Sequence, residues 1–526
     1  EQLLIALAVG FALLTVFSGI TEYIRSYLVT AIGQNFSFQI IGNVLRHLLR
    51  LKTEYFEKRS IGDVTSRIGS IQQIKQVITQ DFITIVIDGV MSFFMLGLMF
   101  LYDARLAAFV LVTTAIHLAV AQLLYPAARR REEKLITAMA REESYVIESV
   151  RAARAIKLFG REAERETGWR NLYSDVVNNT IERDRVRFAI QLSATTVFGV
   201  QLAGVAFFGA LLVLNGSMSL GMLFAFVSFR QTFAMRAISL VQQLLGLRML
   251  ALHLDRVADI VLSDTEDAEA TAPRRSGDKP IDISLEDVAF RYSYHENDVL
   301  DGVSLNIRDG EFIAITGVSG GGKTTLLKLL LGLLEPSAGA VRVGGKPLHA
   351  FGLSAWRAAC GVVMQDDQLL SGTIADNISF YDPQIDMEKV RSVAKIARIH
   401  DDIVNMPMEY LSLIGDMGSS LSGGQRQRLM LARALYHDPR ILILDEGTAN
   451  LDRNTEREIA DAIENMPITR IVIAHRQELI NRADTVYVMR DRKLFRTEAE
   501  RLIKNDATRT PHNTAPVSET ARVIGP

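Results

Sequence analysis

The stretch "FIAITGVSGGGKTTLLKLLLGLL", Phe312 to Leu334, is the most informative part of the sequence. It contains the phosphate-binding pattern of a glycine, four residues, and then glycine, lysine and threonine. A strand-like run precedes the pattern and a helix-like run follows it, which is the context in which such a loop holds phosphate. We expect Lys323 to reach the β and γ phosphates and Thr324 to ligate Mg²⁺. The predicted phosphate contacts are Gly317, Ser319, Gly320, Gly321, Gly322, Lys323, Thr324 and Thr325.

Two further apolar runs end in groups that could complete this chemistry. The run "ILILDE" ends in adjacent carboxylates, of which Asp445 is the predicted magnesium partner and Glu446 the group that polarises the attacking water. The run "IVIAH" ends at His475, where an imidazole could contact the γ phosphate. Each feature has an ordinary alternative, because acids at a strand end are often merely solvated and a lone histidine is more often structural.

The first half of the chain has a different character. Of the 526 residues, 48% are hydrophobic, and the mean hydropathy is +0.16, which is unusual for a soluble enzyme. A membrane-spanning helix needs about 20 apolar residues. Five runs meet this requirement, near Leu3 to Ile20, Phe82 to Leu101, Leu106 to Tyr125, Phe188 to Leu214 and Leu220 to Leu240.

Lysine and arginine in the connections predict the orientation of these spans. The connections 25–75 and 129–187 are rich in basic residues, whereas "YDAR" and "NGSMS" are short and almost uncharged, so the two basic connections are predicted to be cytoplasmic. Both carry apolar positions at helical spacing, which predicts membrane helices that continue into the cytosol. Five spans with a cytoplasmic C-terminal part place Glu1 on the outer side, and we expect a further span ahead of it.

These patterns predict a multi-domain protein. An all-α transmembrane helical bundle covers 1–256, a polar linker covers 257–280, an α/β domain with a mostly parallel sheet covers 281–504, and a disordered tail covers 505–526. The 58 basic and 60 acidic residues nearly balance, so nothing suggests a nucleic-acid partner. The single cysteine, Cys360, excludes an intramolecular disulfide and lies in no thiol-catalyst motif.

Taken together, the motifs resemble those of the ATP-binding cassette (ABC) family, and the whole chain resembles an ABC exporter half-transporter. The phosphate loop, Gln365 in "VVMQDD", "LSGGQ" from Leu421, "ILILDE", the "NLD" that ends at Asp452, and His475 follow the order and spacing of that family. The resemblance implies an ABC exporter type transmembrane bundle followed by a P-loop ATP-binding cassette. It also implies ATP hydrolysis coupled to transport, with ATP and Mg²⁺ as cofactors.

The resemblance assigns roles to individual residues. Tyr292 in "FRYSY" would stack on adenine, and Gln365 would link the nucleotide to the membrane part, ligate Mg²⁺, and act in catalysis with Glu446 and His475. The remaining predicted nucleotide contacts are Ser422, Gly423, Gly424, Gln425 and Asp452. A single phosphate loop leaves one side of ATP open to water, and the "LSGGQ" of a second copy would close it, which predicts a homodimer with two ATP sites.

A narrower resemblance rests on "YFEKRSIGDVTSRIGS", "AIKLFGREAE" and "DEGTANLD", which are similar to peptidase-containing exporters of the colicin V type. Those exporters cut and secrete small bacteriocin-like peptides. The resemblance implies a bacterial inner-membrane location, a peptide cargo, and a periplasmic adaptor and an outer-membrane channel as further partners. The family's cysteine peptidase and first span do not occur in this sequence, and we expect both to precede Glu1 in the full-length protein.

Three functions stay open at this point. The leading one is ATP-driven export of a bacteriocin-like peptide. A lipid or drug exporter of the same fold is the alternative, since the ATPase motifs do not determine which cargo is transported. A soluble ABC ATPase acting on nucleic acid or ribosomes is disfavoured by the apolar runs. For an exporter, the cost of Arg230 and Gln231 in lipid predicts that both line the cargo cavity.

Overall fold

The computed structural model describes residues 2–266, 280–293, 295–415, 421–445, 452–474 and 476–497. The chain divides into two compact units, Glu1–Glu266 and Asp267–Pro526. The predicted tail, 505–526, and most of the predicted linker lie outside the described residues.

The first unit is built from α-helices, two of which are joined by a single π-helical turn, Val77–Asp81. The helices are α1 Gln2–Leu48, α2 Thr53–Glu57, α3 Ile61–Gln76, α4 Phe82–Tyr102, α5 Ala104–Arg151, α6 Ala153–Leu158, α7 Glu162–Leu214 and α8 Leu220–Val261.

Five helical stretches of this unit are long and apolar enough to cross a membrane, as predicted. They are Ala8–Leu48, Ile61–Tyr102, Ala104–Arg151, Glu162–Leu214 and Leu220–Val261. At about 1.5 Å per residue the shortest is about 60 Å long, twice the ~30 Å of a hydrocarbon core. Each apolar span therefore continues without a break into a more polar segment. The proline in α5, Pro126, lies within such a helix, between the apolar half and the basic run that follows it.

The end of α8 corrects one predicted boundary. The transmembrane region was predicted to end at 256, but the helix continues to Val261. Val257 is 8% exposed and Ile260 is fully buried, in an apolar core shared with α1 and α3. Burial of these two side chains keeps residues 257–261 helical, and the polar composition typical of a linker begins only after Leu262.

Two buried charged side chains inside the spans each bond to a neighbouring helix. Asp88 of α4 is 1% exposed and accepts a 2.8 Å hydrogen bond from Arg236 of α8. Arg230 is 6% exposed and donates to the Phe198 carbonyl of α7 at 2.9 Å. Arg230 therefore faces α7, which contradicts the prediction that it lines a cavity, whereas its neighbour Gln231 is exposed.

The second unit mixes strands and helices. Its strands are β1 Ile283–Phe290, β2 Leu300–Ile307, β3 Phe312–Gly317, β4 Ala338–Val343, β5 Lys346–Pro347, β6 Cys360–Val363, β7 Gly372–Thr373, β8 Leu413–Ile414, β9 Ile441–Asp445, β10 Thr469–Ile473, β11 Thr485–Arg490 and β12 Lys493–Thr497. Its helices are α9 Lys323–Leu330, α10 Leu348–Phe351, α11 Leu353–Ala359, α12 Ile374–Ser379, α13 Met387–Ile396, α14 His400–Val404, α15 Gly423–Tyr436, α16 Arg453–Glu464 and α17 Gln477–Ile480, with a 3₁₀ turn at Glu409–Leu411.

The central sheet has the strand order β12-β11-β3-β10-β9-β6. All neighbouring pairs are parallel except β11 with β12. Side chains alternate between its two faces: Ile313 and Ile315 pack on α9 and a second, antiparallel sheet, whereas Ala314 packs towards α12, α13 and α15. The antiparallel sheet has the order β2-β1-β4-β5. Because β3, β6, β9 and β10 are parallel, the loops that follow them meet at one edge.

Candidate functional site

The phosphate loop lies at this edge, between β3 and α9, and two of its glycines are required by the backbone. Gly322 caps α9 with a φ of 94°, a left-handed conformation that favours glycine. A Cβ at Gly317 would lie 2.5 Å from the Met489 carbonyl oxygen of β11. The loop can therefore pass close to β11 and turn its N–H groups inward before the helix begins.

The lysine and the threonine of the loop are held in place. Lys323 is 6% exposed, and its ammonium donates to the carbonyls of Gly317 and Val318 at 3.0 and 2.9 Å. The Thr324 hydroxyl donates to the Asp445 carboxylate at 2.8 Å. Asp445 is the last residue of β9 and is 2% exposed. Residues from two motifs 121 positions apart thus meet at one point.

The loop after β6 carries Gln365 to the same edge of the sheet. Gln365 is exposed and lies in a turn closed by a 3.2 Å bond from the Asp367 N–H to the Met364 carbonyl. The Asp367 carboxylate accepts the Met364 N–H in return, at 3.2 Å, and burial raises the pKa of Asp367. The predicted catalytic residues Glu446 and His475 follow β9 and β10 and lie outside the described residues.

The signature turn, Ser422–Gln425, begins helix α15. The Ser422 hydroxyl accepts the Gln425 N–H at 3.2 Å, and the Gln425 side-chain oxygen accepts the Ser422 N–H at 3.0 Å. This reciprocal capping box fixes the direction of the first turn. Gln425 also donates to Asp402 at 2.9 Å. Ser422 and Gly423 remain exposed, so the positive end of the helix dipole faces outward and can receive an anion.

Two other predicted contacts flank these motifs. Tyr292 is 44% exposed, its hydroxyl lies 3.1 Å from the Thr325 hydroxyl, and its ring meets Phe290 edge to face. The tyrosine therefore lies beside the phosphate loop. Asp452 caps α16 by accepting the Thr455 N–H and hydroxyl, both at 2.8 Å. These hydrogen bonds hold the pKa of Asp452 below its usual range, so it is an anion at neutral pH.

The sequence motifs missed one residue near the site, Arg433 of α15. Its guanidinium bonds Gln368, in the loop that carries Gln365, and Asn377, in the helix α12 that follows this loop. The acceptors are mostly backbone carbonyls, and every residue type has one. A sequence pattern therefore cannot predict this contact.

Comparison with known proteins agrees with this architecture. Residues 2–236 match the ABC transporter transmembrane region, and residues 300–449 match the ABC transporter family. The chain is 35% identical to the probable microcin-H47 secretion/processing ATP-binding protein MchF of Escherichia coli, over 92% of this chain and 69% of MchF. It is also 35% identical to the colicin V secretion/processing ATP-binding protein CvaB of Escherichia coli, over 89% of this chain and 67% of CvaB.

More distant relatives give the same picture. Identity to the alpha-hemolysin translocation ATP-binding protein HlyB of Escherichia coli is 32%, over 93% of this chain and 69% of HlyB. A solved bacterial Atm1-family ABC exporter with ATP bound superposes with a TM-score of 0.88 at 23% identity, covering 96% of this chain and 90% of that one, which supports the fold. The chain therefore belongs to the ABC transporter family, as a multi-pass exporter of the bacterial inner membrane whose cytoplasmic cassette hydrolyses ATP to drive transport.

Proposed function

We propose that Lys323, Thr324 and Asp445 hold the ATP phosphates together with Mg²⁺, and that Glu446 polarises the attacking water. The donor set fits the metal, because a hydroxyl and a carboxylate 2.8 Å apart are the oxygen ligands that Mg²⁺ prefers. Bound there, Mg²⁺ would neutralise charge on the β and γ phosphates. Gln365 serves as a further metal contact and the link towards the membrane helices, and His475 contacts the γ phosphate.

The second part of the proposal is a homodimer. The loop at Lys323 encloses ATP on one side, and the open side would leave the γ phosphate in water. The exposed signature turn, Ser422–Gln425, is a second anion site of the same physical kind. In the dimer each ATP lies between the phosphate loop of one chain and the signature turn of the other. Its adenine stacks on Tyr292, and Asp452 lines the site.

The cargo we propose is a small bacteriocin-like peptide. One observation carries this choice: the chain is 35% identical, over 92% of its length, to a protein whose name assigns it to microcin secretion and processing. Secretion in those systems would also require a periplasmic adaptor and an outer-membrane channel as partners.

The cargo proposal can be tested with purified protein reconstituted into vesicles, with the cassette facing the outer solution. We expect ATP-dependent uptake of a radiolabelled bacteriocin precursor whose leader ends in two glycines. Vesicles with Lys323→Ala should show none, because that lysine neutralises the phosphates during turnover. A scrambled peptide of equal charge is the matched control. ATP-dependent movement of a fluorescent lipid or drug without uptake of the precursor would replace this proposal with the lipid or drug alternative.

A further inference from the structure

Arg433 lies in the third turn of α15, the helix that begins with the signature turn. Its Nη1 donates to the Gln368 carbonyl at 3.0 Å, its Nε to the Asn377 carbonyl at 3.0 Å, and its Nη2 to the Asn377 side-chain oxygen at 2.9 Å. The guanidinium carbon also lies 5.3 Å from the centre of the Phe380 ring. One side chain of α15 therefore holds two separate points of the chain that follows Gln365.

The acceptor Asn377 is itself fully buried and anchors the same stretch of chain. Its amide donates to the carbonyls of Leu370 and Thr373 at 2.9 and 3.1 Å. Its oxygen accepts the Leu370 N–H at 3.0 Å, in addition to the bond from Arg433. With two donors and two acceptor positions used, Asn377 has one fixed orientation.

Apolar packing supports the same connection. Leu369 is 2% exposed and Ile378 of α12 is fully buried. Both belong to the apolar core that contains Leu429, Met430 and Ala432 of α15. The chain from Met364 to Ser379, called here the Gln365 loop, is thus joined to α15 by apolar contacts and by a forked set of hydrogen bonds.

We propose that Arg433 is a positioning residue that makes the Gln365 loop and the signature turn move as one body. The inference rests on the proposed dimer, in which Gln365 serves the ATP of its own chain and Ser422–Gln425 serve the ATP of the partner. Arg433 then connects the two ATP sites through a single chain. Only arginine provides a planar fork that bonds Gln368 and Asn377 at the same time.

The first test replaces the fork and keeps the charge. In full-length protein in nanodiscs, Arg433→Lys should bind nucleotide with a Kd within about threefold of the wild type, because no ATP contact is removed. The kcat of ATP hydrolysis should fall about tenfold or more, because the two motifs no longer reach the closed geometry together. Asn377→Ala, assayed below its own melting temperature, should show the same separation of Kd from kcat.

A matched control separates positioning from folding. Arg470 also donates to backbone carbonyls, those of Glu464, Gly310 and Ile463, at 2.6, 2.7 and 3.4 Å, and its guanidinium lies against Phe312. Arg470 lies at the start of β10, and therefore at the end of the parallel strands opposite to the phosphate loop. Arg470→Lys should lower the melting temperature and keep kcat.

The proposal is overturned if Arg433→Lys and Asn377→Ala keep kcat within about twofold of the wild type. It is also overturned if Arg470→Lys loses as much kcat for an equal loss of melting temperature. The ATPase readout requires no cargo, so an error in the proposed cargo leaves this test intact. A monomer in nanodiscs, seen by its mass, would count against the proposed dimer.

Discussion

At the scale of single residues, substitutions of Lys323 and Glu446 should have different effects on ATP binding and hydrolysis. The Lys323 ammonium is held over the phosphate loop by two carbonyls, so Lys323→Ala removes a fixed positive charge and should abolish ATP binding or turnover. Glu446→Gln keeps the shape of the site and should retain binding, while hydrolysis slows by about 10²-fold or more. Equilibrium binding of a fluorescent ATP analogue and phosphate release in reconstituted membranes measure the two effects. Lys328→Ala, in the same helix, is the control, and full turnover by Glu446→Gln would refute the role given to this carboxylate.

The same scale shows what a sequence can and cannot predict about a site. Thr324 and Asp445 could be paired in advance because each belongs to a motif with a known chemical partner, and the structure places them 2.8 Å apart. Arg433 could not, because its partners at Gln368 and Asn377 are 65 and 56 positions away and bond mainly through their backbone. The prediction for Arg230 was wrong for a related reason, since hydropathy gives the cost of a charge in lipid and does not identify the Phe198 carbonyl that accepts its hydrogen bond.

At the scale of helices, the ion pair between α4 and α8 should be important for stability because its carboxylate is buried. Asp88 is 1% exposed and Arg236 is 42% exposed in their side chains. Arg236→Met leaves the carboxylate buried without its partner, which should cost about 3 kcal/mol. The double variant Asp88→Asn with Arg236→Met should recover much of that loss. Thermal unfolding in detergent checks both, with Arg170→Met as the control, because its pair with Glu166 is exposed and worth little. Equal losses in the single and double variants would contradict this account.

The elements themselves were predictable in proportion to their length. The membrane helices contain long, mostly apolar stretches. The strands β3, β9 and β10 contain short apolar runs, as expected of strands that are buried on both faces. The two-residue strands β7 and β8 have too few positions for any period. The position at which α8 ends could not be predicted from composition either, because it depends on the packing of Val257 and Ile260 against side chains of α1 and α3.

At the scale of the whole molecule, the proposed dimer predicts how two lesions combine. In a linked dimer with Lys323→Ala on one half and Gly424→Asp on the other, both lesions fall in the same ATP site, so about one nucleotide per dimer should be trapped. With both lesions on one half, both sites are damaged and trapping should be lost. Nucleotide trapping in the two linked dimers, normalised to the wild type, compares them. The reversed pattern, with trapping lost in the first dimer and about one nucleotide kept in the second, would mean that the signature turn serves the ATP of its own chain.

The length of α5 has a mechanical consequence. The helix has 48 residues, with Pro126 close to its midpoint, and is about 72 Å long at 1.5 Å per residue. Proline lacks the N–H that would complete the helical ladder, so bending is easiest at that position. In engineering terms α5 is a hinged rod with two nearly equal arms, and its hinge lies just before the basic run "RRREEK". A tilt of about 5° in one arm, about 36 Å long, displaces its tip by about 3 Å while the other arm keeps its direction.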